Sequence, residues 1–353
     1  MIHMETVQIK PNRKLKIAFF TLLVTFLALG AVCFCIVQKA LSNLHAGRVE
    51  IVAAPQEGSV EMAAPLLTAD DFTQALRTDI DYYETGEIQR VPIYEQKKID
   101  KYIFTILVVV KNGSTAGEDY QTDMIFLVSY NQLLYKFTVA AIPRDTLVQV
   151  EGYGWKRINA AYTLGGLGLL INTLNSNFGI DIQDYVYIGT DELRDLADGV
   201  NGIPARLTEG EAAYLNDLLG CRLTAGPQQL TGEQAVAYLL DRTSDNKGDL
   251  GRSRVQLQVV KDTFFYLQDT FDRDYLYPFM LLVFQGIRTN MDFEALMDLS
   301  HEVLVAEELD FETVRLPYKN SYSEFIYDGG YSILPEFEKN RILLRQDLYG
   351  KEP

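Results

Sequence analysis

The sequence is poor in the residues that build disulfide frameworks and zinc sites, with three cysteines and three histidines among 353 residues. Cys33 and Cys35 lie inside a long apolar run, and Cys221 is the one cysteine that follows it, so no disulfide can form within the rest of the chain. No histidine is near Cys221 in sequence, and it is interpreted as an inert buried thiol rather than a nucleophile. A disulfide scaffold, a zinc site and cysteine catalysis are therefore not expected.

Positive charge is also scarce. The chain has 32 Lys and Arg against 48 Asp and Glu, for a net charge of -16. Residues 1–48 hold six of the basic residues and one of the acidic ones. The remainder therefore has 26 basic and 47 acidic residues, for a net charge of -21. Nucleic acid is therefore excluded as an expected ligand, and an anionic substrate would need a local basic site.

One segment is long and apolar enough to cross a membrane. Residues 17–37 form a run of 21 residues without a charge, enough for a bilayer core of about 30 Å. Lys10, Arg13, Lys14 and Lys16 precede it, and this bias predicts a cytoplasmic N-terminus with the large domain outside the cell membrane. A cleaved signal peptide is the alternative, although its apolar region would be about 7–15 residues long.

The stretch from Val139 to Gly166 carries the first candidate site. An apolar run ends there at Pro143, Arg144 and Asp145, and a preceding apolar run opens at Asp123. Asn131 and Gln132 between the two runs predict a hairpin turn. Residues equidistant from that turn face each other, so the hairpin would bring Asp123 and Arg144 to the same end of a sheet.

The surrounding pattern alternates between strands and helices. Lys101 to Val110 is a continuous apolar run typical of a strand buried on both faces, and Tyr185 to Ile188 predicts another strand. Apolar residues between Leu167 and Leu174 recur at helical spacing. This order predicts an α/β fold, arranged as a three-layer α/β/α sandwich.

A second candidate site lies between Gly226 and Gln268. Thr231 and Gln234 form a capping box that predicts a helix running toward Arg242, and a further helix is expected after Gly251. Arg252 and Gln256, four residues apart, would share one face of that helix.

Three arginines in this stretch could bind a phosphate, because a guanidinium presents planar, bidentate donors. They are Arg242, Arg252 and Arg254. Ion pairing with the nearby acidic residues is the alternative that spacing alone leaves open, and the candidate partners are Asp241, Asp245 and Asp249.

Four ordered motifs resemble the LytR-CpsA-Psr family of cell-envelope proteins. They are TDMIFLVS, AAIPRDTLVQVEGYGWKRINAAY, GPQQLTGEQAVAYLLDR and GDLGRSRVQLQ, between about Ile103 and Gln268. The resemblance implies a mixed central sheet with a lipid pocket. It also implies an extracytoplasmic phosphotransferase that attaches glycopolymers such as teichoic acid or capsule from undecaprenyl-pyrophosphate carriers to peptidoglycan, with Mg²⁺.

The resemblance also implies roles for individual residues. Asp123 matches a catalytic, metal-binding carboxylate, while Arg144, Arg242 and Arg252 match catalytic arginines that contact the pyrophosphate. Three further residues are expected to bind substrate: Asn159, Arg254 and Gln256.

The chain departs from the family pattern at several positions. Gln121, Leu240 and Val255 stand where arginines are expected. Asn112 stands near the position of a second carboxylate, which is missing unless Glu118 or Asp119 from the loop substitutes for it. Two functions therefore stay open: an active glycopolymer phosphotransferase, or a catalytically weakened relative that binds polyprenyl diphosphate or glycopolymer as an assembly or regulatory protein.

The whole chain is accordingly divided into six predicted segments. They are a cytoplasmic tail (1–16), a single transmembrane anchor (17–37), a juxtamembrane linker (38–67), an accessory segment (68–100), the LytR-CpsA-Psr-like domain (101–270) and C-terminal helices and a strand completing that domain (271–353).

Overall fold

The computed structural model describes residues 51–52, 91–111, 122–246, 248–270, 283, 286–291, 296, 298–299 and 309–350. The predicted anchor at 17–37 and most of the predicted linker and accessory segment lie outside these residues. No helix within the described ranges has the length and apolar character needed to cross a bilayer. The segment boundaries therefore stay predictions.

Short strands and helices alternate along the described chain. The strands are β1 (Ile51–Val52), β2 (Ile93–Tyr94), β3 (Ile103–Lys111), β4 (Thr122–Asn131), β5 (Lys136–Ala141), β6 (Leu147–Val150), β7 (Gly154–Arg157), β8 (Asp184–Gly189), β9 (Ile203–Leu207), β10 (Gly226–Leu230), β11 (Ile287–Thr289), β12 (Asp310–Arg315), β13 (Tyr322–Tyr327) and β14 (Gly330–Pro335). The helices are α1 (Ile158–Phe178), α2 (Thr190–Gly199), α3 (Glu209–Leu219), α4 (Gly232–Leu240), α5 (Gly248–Thr270) and α6 (Phe337–Tyr349).

A mixed six-stranded sheet forms the centre of the fold, in the order β11-β8-β3-β4-β5-β12. Strand β3 is antiparallel to β4 and parallel to β8, and β5 is antiparallel to β4 and parallel to β12. The β3 and β4 strands are almost wholly buried, as their continuous apolar sequences require. The mixed α/β fold with a mixed central sheet is thus confirmed.

Helices pack on both faces of this sheet because alternate residues of its inner strands point to opposite sides. Leu107 of β3 and Ile125 of β4 join one apolar cluster with α1 and α6. Val110 and Phe126 join a second apolar cluster, which contains the inner faces of α3, α4 and α5 and is called here the α5-side cluster.

The predicted hairpin forms, with a longer turn than expected. Strand β4 ends at Asn131 and β5 begins at Lys136, so the turn spans 132–135 rather than two residues. Phe126 pairs with Ala141, and the same register places position 123 opposite position 144. The inference that Asp123 and Arg144 reach one end of the sheet is therefore confirmed.

Two further local predictions have mixed outcomes. The capping box at Thr231 and Gln234 is present at the start of α4. The expectation that the following helix begins after Gly251 is wrong, because α5 starts at Gly248 with Asp249 in its first turn. An acidic residue there is favourable, since backbone N–H groups give a helix N-terminus partial positive charge.

Candidate active site

Three arginines from distant parts of the chain converge on the carboxylate of Asp123. Arg242 donates from Nη2 to Asp123 Oδ1 at 2.7 Å, and Arg144 donates from Nη1 to the same oxygen at 3.1 Å. Arg252 Nη1 lies 3.8 Å from that oxygen. The sequence-predicted catalytic residues are thus in mutual contact, and this group of four is called the arginine cluster below.

Arg144 is positioned by the turn that follows β5. The backbone N–H of Thr146 donates to Pro143 O at 3.0 Å and closes the turn, while Ile142 N–H donates to Ile125 O at 2.9 Å and continues the sheet register. Proline fixes its own backbone dihedral at the start of this turn. The strand and the turn together direct the Arg144 side chain toward Asp123.

Arg242 is positioned by the end of α4. Asp241 accepts hydrogen bonds from the backbone N–H groups of Thr243 and Ser244, at 2.8 and 3.1 Å, and from both of their hydroxyls. Burial opposes ionisation of Asp241, but these bonds outweigh it and hold its pKa below the usual value. The charged Asp241 therefore fixes the turn that presents Arg242.

Arg252 is the most buried member of the cluster. Its side chain is 2% exposed, and its Nη2 lies 2.9 Å from Asp249 Oδ1 one helical turn earlier on α5. Burial lowers the pKa of Arg252, and the charge of Asp249 opposes that shift. A buried guanidinium of this kind depends on its carboxylate partners, because an isolated buried charge is very costly.

Asp145 adds a second acidic group beside Arg144. Arg144 Nε lies 3.9 Å from Asp145 Oδ1 and 3.8 Å from Asp249 Oδ2, so the two carboxyl groups flank one guanidinium. Burial and a hydrogen bond with Asp249 raise the pKa of Asp145 to about 7. The Asp145 carboxyl is therefore protonated below neutral pH and ionised above it.

The arginine cluster has unsatisfied donors and little opposing charge. Its three arginines exceed Asp123 and the neighbouring Asp249 by one charge while Asp145 is protonated, and the charges of the three arginines and three carboxylates balance once Asp145 is ionised. The buried Nε atoms of Arg144, Arg242 and Arg252 have no hydrogen-bond partner in the described structure, and neither has Arg252 Nη1. Unsatisfied charged donors can bind an anion. A local group of this kind is needed because the acidic chain as a whole would repel an anion.

The predicted substrate-binding residues fall into different environments. Asn159 is buried at the start of α1, where its backbone N–H donates to Arg144 O at 3.4 Å. Gln256 is buried, and its Nε2 donates to Leu239 O at 3.0 Å, which ties α5 to the end of α4. Arg254 is exposed on α5, because successive residues of a helix are rotated by about 100° and position 254 faces solvent. Their substrate roles stay predictions.

The ion-pairing alternative for the arginines is partly right. Asp249 pairs with Arg252 and lies 4.0 Å from Arg242 Nε. Asp241 instead closes its own turn, and Asp245 accepts a hydrogen bond from Thr208 Oγ1 at 2.5 Å. Asp249 is therefore a member of the site, although the sequence indicated it only as a competing ion-pair partner of the arginines.

Leu240 and Val255, which stand where arginines are expected, are part of the apolar packing. Both are half-buried and pack against the α5-side cluster. Gln121 and the loop with Asn112, Glu118 and Asp119 lie outside the described residues. The apolar contacts of Leu240 and Val255 explain why neither position carries a charge.

The metal prediction rests on Asp123 alone. Within the described part of the chain, no group of three or more His, Cys, Asp or Glu is arranged to hold a metal ion. The three arginine contacts to Asp123 are all made to Oδ1, so Oδ2 takes no part in them. Mg²⁺ is usually bound through one or two carboxylates and substrate phosphates, and one carboxylate oxygen beside an anion site fits that pattern.

A family model and curated relatives match this chain. The LytR_cpsA_psr family model matches residues 74–340, more than half of the sequence. The regulatory protein MsrR of Staphylococcus aureus is 28% identical over 223 residues, 62% of this chain and 66% of MsrR. The polyisoprenyl-teichoic acid--peptidoglycan teichoic acid transferase TagU of Bacillus anthracis is 27% identical over 158 residues, 44% of this chain and 50% of TagU. The chain thus spans just under two thirds of MsrR and half of TagU.

Solved structures of TagT, a Bacillus subtilis protein, have the same fold. TagT bound to LIIa-WTA matches with a TM-score of 0.58 at 20% identity, covering 72% of this chain and 94% of TagT. TagT with bound octaprenyl pyrophosphate matches with a TM-score of 0.56 at 18% identity, covering 74% and 97%. These TM-scores show that the fold is shared.

Proposed function

Because this chain belongs to the LytR-CpsA-Psr family, we propose that it is a phosphotransferase that moves a glycopolymer from an undecaprenyl-diphosphate carrier onto peptidoglycan. The observation that carries this proposal is the convergence of Arg144, Arg242 and Arg252 on one carboxylate, with buried donors left unsatisfied. Guanidinium groups bind phosphates through paired, charge-assisted hydrogen bonds. TagU is named a teichoic acid transferase and TagT has been solved with octaprenyl pyrophosphate, so the relatives support the ligand class.

In the proposed reaction, a hydroxyl oxygen of the acceptor attacks the phosphorus that carries the glycopolymer. A new phosphorus–oxygen bond forms, the bond from that phosphorus to the bridging oxygen breaks, and undecaprenyl phosphate leaves. The arginine cluster stabilises the negative charge that develops on the leaving phosphate, which is the main requirement of phosphoryl transfer.

The acceptor hydroxyl must also lose its proton. Asp145 is proposed to accept it, because its side chain is 18% exposed and its pKa of about 7 is matched to neutral pH. Mg²⁺, held by Asp123 and phosphate oxygens, would neutralise part of the diphosphate charge when bound.

A second candidate function is binding without efficient transfer, as an assembly or regulatory protein. It is favoured by the apolar packing of Leu240 and Val255, which are positions where an active relative would carry arginines. Each charge-assisted contact is worth about 1.5–3 kcal/mol, so the missing contacts would slow transfer by orders of magnitude while binding persists.

The location that this function requires is a further part of the proposal. Residues 17–37 would anchor the chain in the cell membrane, with 1–16 in the cytoplasm and the α/β/α domain outside. Protease added to intact, wall-stripped cells is expected to digest the chain beyond about Arg48 and to spare the short tail. A domain that resists protease until the cells are lysed would contradict this topology.

The ligand is tested with the full chain in detergent and octaprenyl diphosphate as the probe. Arg144→Ala is expected to weaken binding about ten- to a hundredfold, since it removes a charge-assisted contact worth about 1.5–3 kcal/mol. Arg206→Ala, on the exposed side of β9, is the matched control and should bind like the parent.

The binding and melting data together distinguish a ligand-binding role of Arg144 from a structural role. If Arg144→Ala binds as tightly as the parent but melts much earlier, Arg144 is a structural residue. Transfer to peptidoglycan, followed with Mg²⁺ and with EDTA, then distinguishes the phosphotransferase from the binding protein. A parent that binds the diphosphate but transfers nothing supports the second candidate function.

A further inference from the structure

The last strand of the central sheet delivers another arginine to the end of the sheet that holds Arg144. Strand β12 is parallel to β5, with Arg315 opposite Ala141, and Leu316 N–H donates to Ala141 O at 2.9 Å. Arg144 follows Ala141 by three residues. The two arginines are therefore separated by at most about 15 Å between Cα atoms, from strand spacing and residue rise.

Arg315 also lies on the side of the sheet that faces the arginine cluster. Phe311, four residues earlier on β12, packs against Phe264 of α5 with ring centroids 4.7 Å apart. Residues four apart on a strand point to the same face, so Arg315 faces the layer that contains α5. The first turns of α5 carry Asp249 and Arg252.

Among the residues that the structure describes, the charge of Arg315 has no carboxylate partner. No Asp or Glu oxygen within the described ranges lies within 4.0 Å of its guanidinium. Nη2 donates to the Tyr322 hydroxyl at 3.3 Å, and the guanidinium carbon lies 5.6 Å from the Tyr322 ring centroid. Nε is buried without a hydrogen-bond partner. The tyrosine thus orients the cation without neutralising it.

The hairpin that carries Tyr322 is fastened to the Arg144 turn. Ile333 N–H donates to Asp145 O at 3.0 Å, and Arg157 donates to Tyr327 O at 2.6 Å and to Tyr331 O at 3.2 Å. Burial and a hydrogen bond with Glu324 raise the pKa of Tyr331, and Asp249 contributes to the shift. The β13–β14 hairpin, and with it Arg315, therefore lies beside the arginine cluster.

Arg157 provides an informative contrast. Its donors are used by backbone carbonyls and by Ser332 Oγ at 3.1 Å, and its Nε lies 3.9 Å from Asp145 Oδ1, so a carboxylate partners its charge. Within the described part of the chain, Arg315 contacts one neutral side chain, that of Tyr322, and no carboxylate. Because Leu240 and Val255 contribute no cation, a guanidinium from outside the recognised motifs would restore part of the charge that a diphosphate needs.

We propose that Arg315, oriented by Tyr322 at the end of β12, binds a phosphate oxygen of the polyprenyl diphosphate together with Arg144. The inference rests on the proposed function and deepens it, because it adds a ligand-binding residue from the C-terminal part of the chain.

The test compares the full-length parent in detergent with Arg315→Ala, Arg315→Lys and Arg288→Ala. Arg288 is the matched control, because its guanidinium carbon lies 5.9 Å from the Tyr187 ring on β8, at the opposite edge of the sheet. Affinity for octaprenyl diphosphate is measured by titration, and thermal unfolding is recorded for every variant.

Arg315→Ala is expected to weaken binding about tenfold, and Arg315→Lys is expected to weaken it less because the charge is kept. Arg288→Ala should bind like the parent, with a similar change in melting temperature to Arg315→Ala. If the alanine variant does not fold, Arg315→Gln takes its place, because glutamine removes the charge and keeps a polar side chain.

Failures of the two proposals are distinguishable. Parent-like binding by both Arg315 variants, with weakened binding by Arg144→Ala, would overturn this inference alone. A parent that binds no octaprenyl diphosphate would overturn the proposed ligand and Arg315 with it.

Discussion

Replacing Arg242, in the turn after α4, or Arg252, on α5, should affect stability to very different extents. The Arg242 side chain is 33% exposed, whereas that of Arg252 is 2% exposed. In Arg252→Ala, Asp249 keeps only longer contacts, at 3.8 Å to Arg144 and 4.0 Å to Arg242, and its carboxylate stays buried. Removing one partner of a buried ion pair costs about 3–5 kcal/mol of unfolding free energy.

Arg242→Ala should cost less. It removes a 2.7 Å contact with Asp123, but solvent screens a group that is one third exposed, and Arg144 still holds the carboxylate at 3.1 Å. The expected loss is about 1–2 kcal/mol. Both variants should bind octaprenyl diphosphate more weakly than the parent, because both remove a cation from the cluster.

Urea unfolding of the full chain in detergent measures the difference. The one tryptophan, Trp155, packs against Phe337 in the cluster beneath α1 and α6, so its fluorescence reports the folding of the domain. Arg252→Met is the control that keeps apolar packing while removing the charge. Equal losses for Arg242→Ala and Arg252→Ala would refute the reasoning from burial.

Two further predictions concern pH and the missing cations. The folded pKa of Asp145 is about 7, above its ordinary value of 3.8, so its contribution to stability is fully present below about pH 4 and is lost as the pH rises through 7. Melting temperatures between pH 5 and 8 should therefore fall more steeply in the parent than in Asp145→Asn, and equal slopes would contradict the shift. The triple variant Gln121→Arg, Leu240→Arg and Val255→Arg should raise Mg²⁺-dependent transfer. The substitutions at 240 and 255 should also lower the free energy of unfolding by about 1–3 kcal/mol, because they place arginine in apolar packing. Transfer rates and urea midpoints of the triple variant check both effects, and an unchanged rate would indicate that other residues already supply the charge.

The sequence by itself determined the local parts of this site. The predicted hairpin placed Asp123 and Arg144 at the same end of the sheet, because two strands joined by a short turn run side by side, while the longer turn at 132–135 set the register in which they meet. The capping box at Thr231 and Gln234 likewise depends on residues three apart. Such features were predictable, since the chain connectivity itself keeps the partners close together.

The family resemblance grouped Arg242 and Arg252 with Asp123, but only the tertiary structure decided how these distant charges contact each other and which further charges join them. Arg242 contacts Asp123 although 119 positions separate them along the chain, and Asp249 joins the same group although the sequence offered it only as one of three competing partners. Arg315 reaches this end of the sheet because β12 pairs with β5 rather than with its neighbours in sequence. Strand order depends on how the whole chain buries its apolar faces, and no local pattern encodes the resulting distances between side chains.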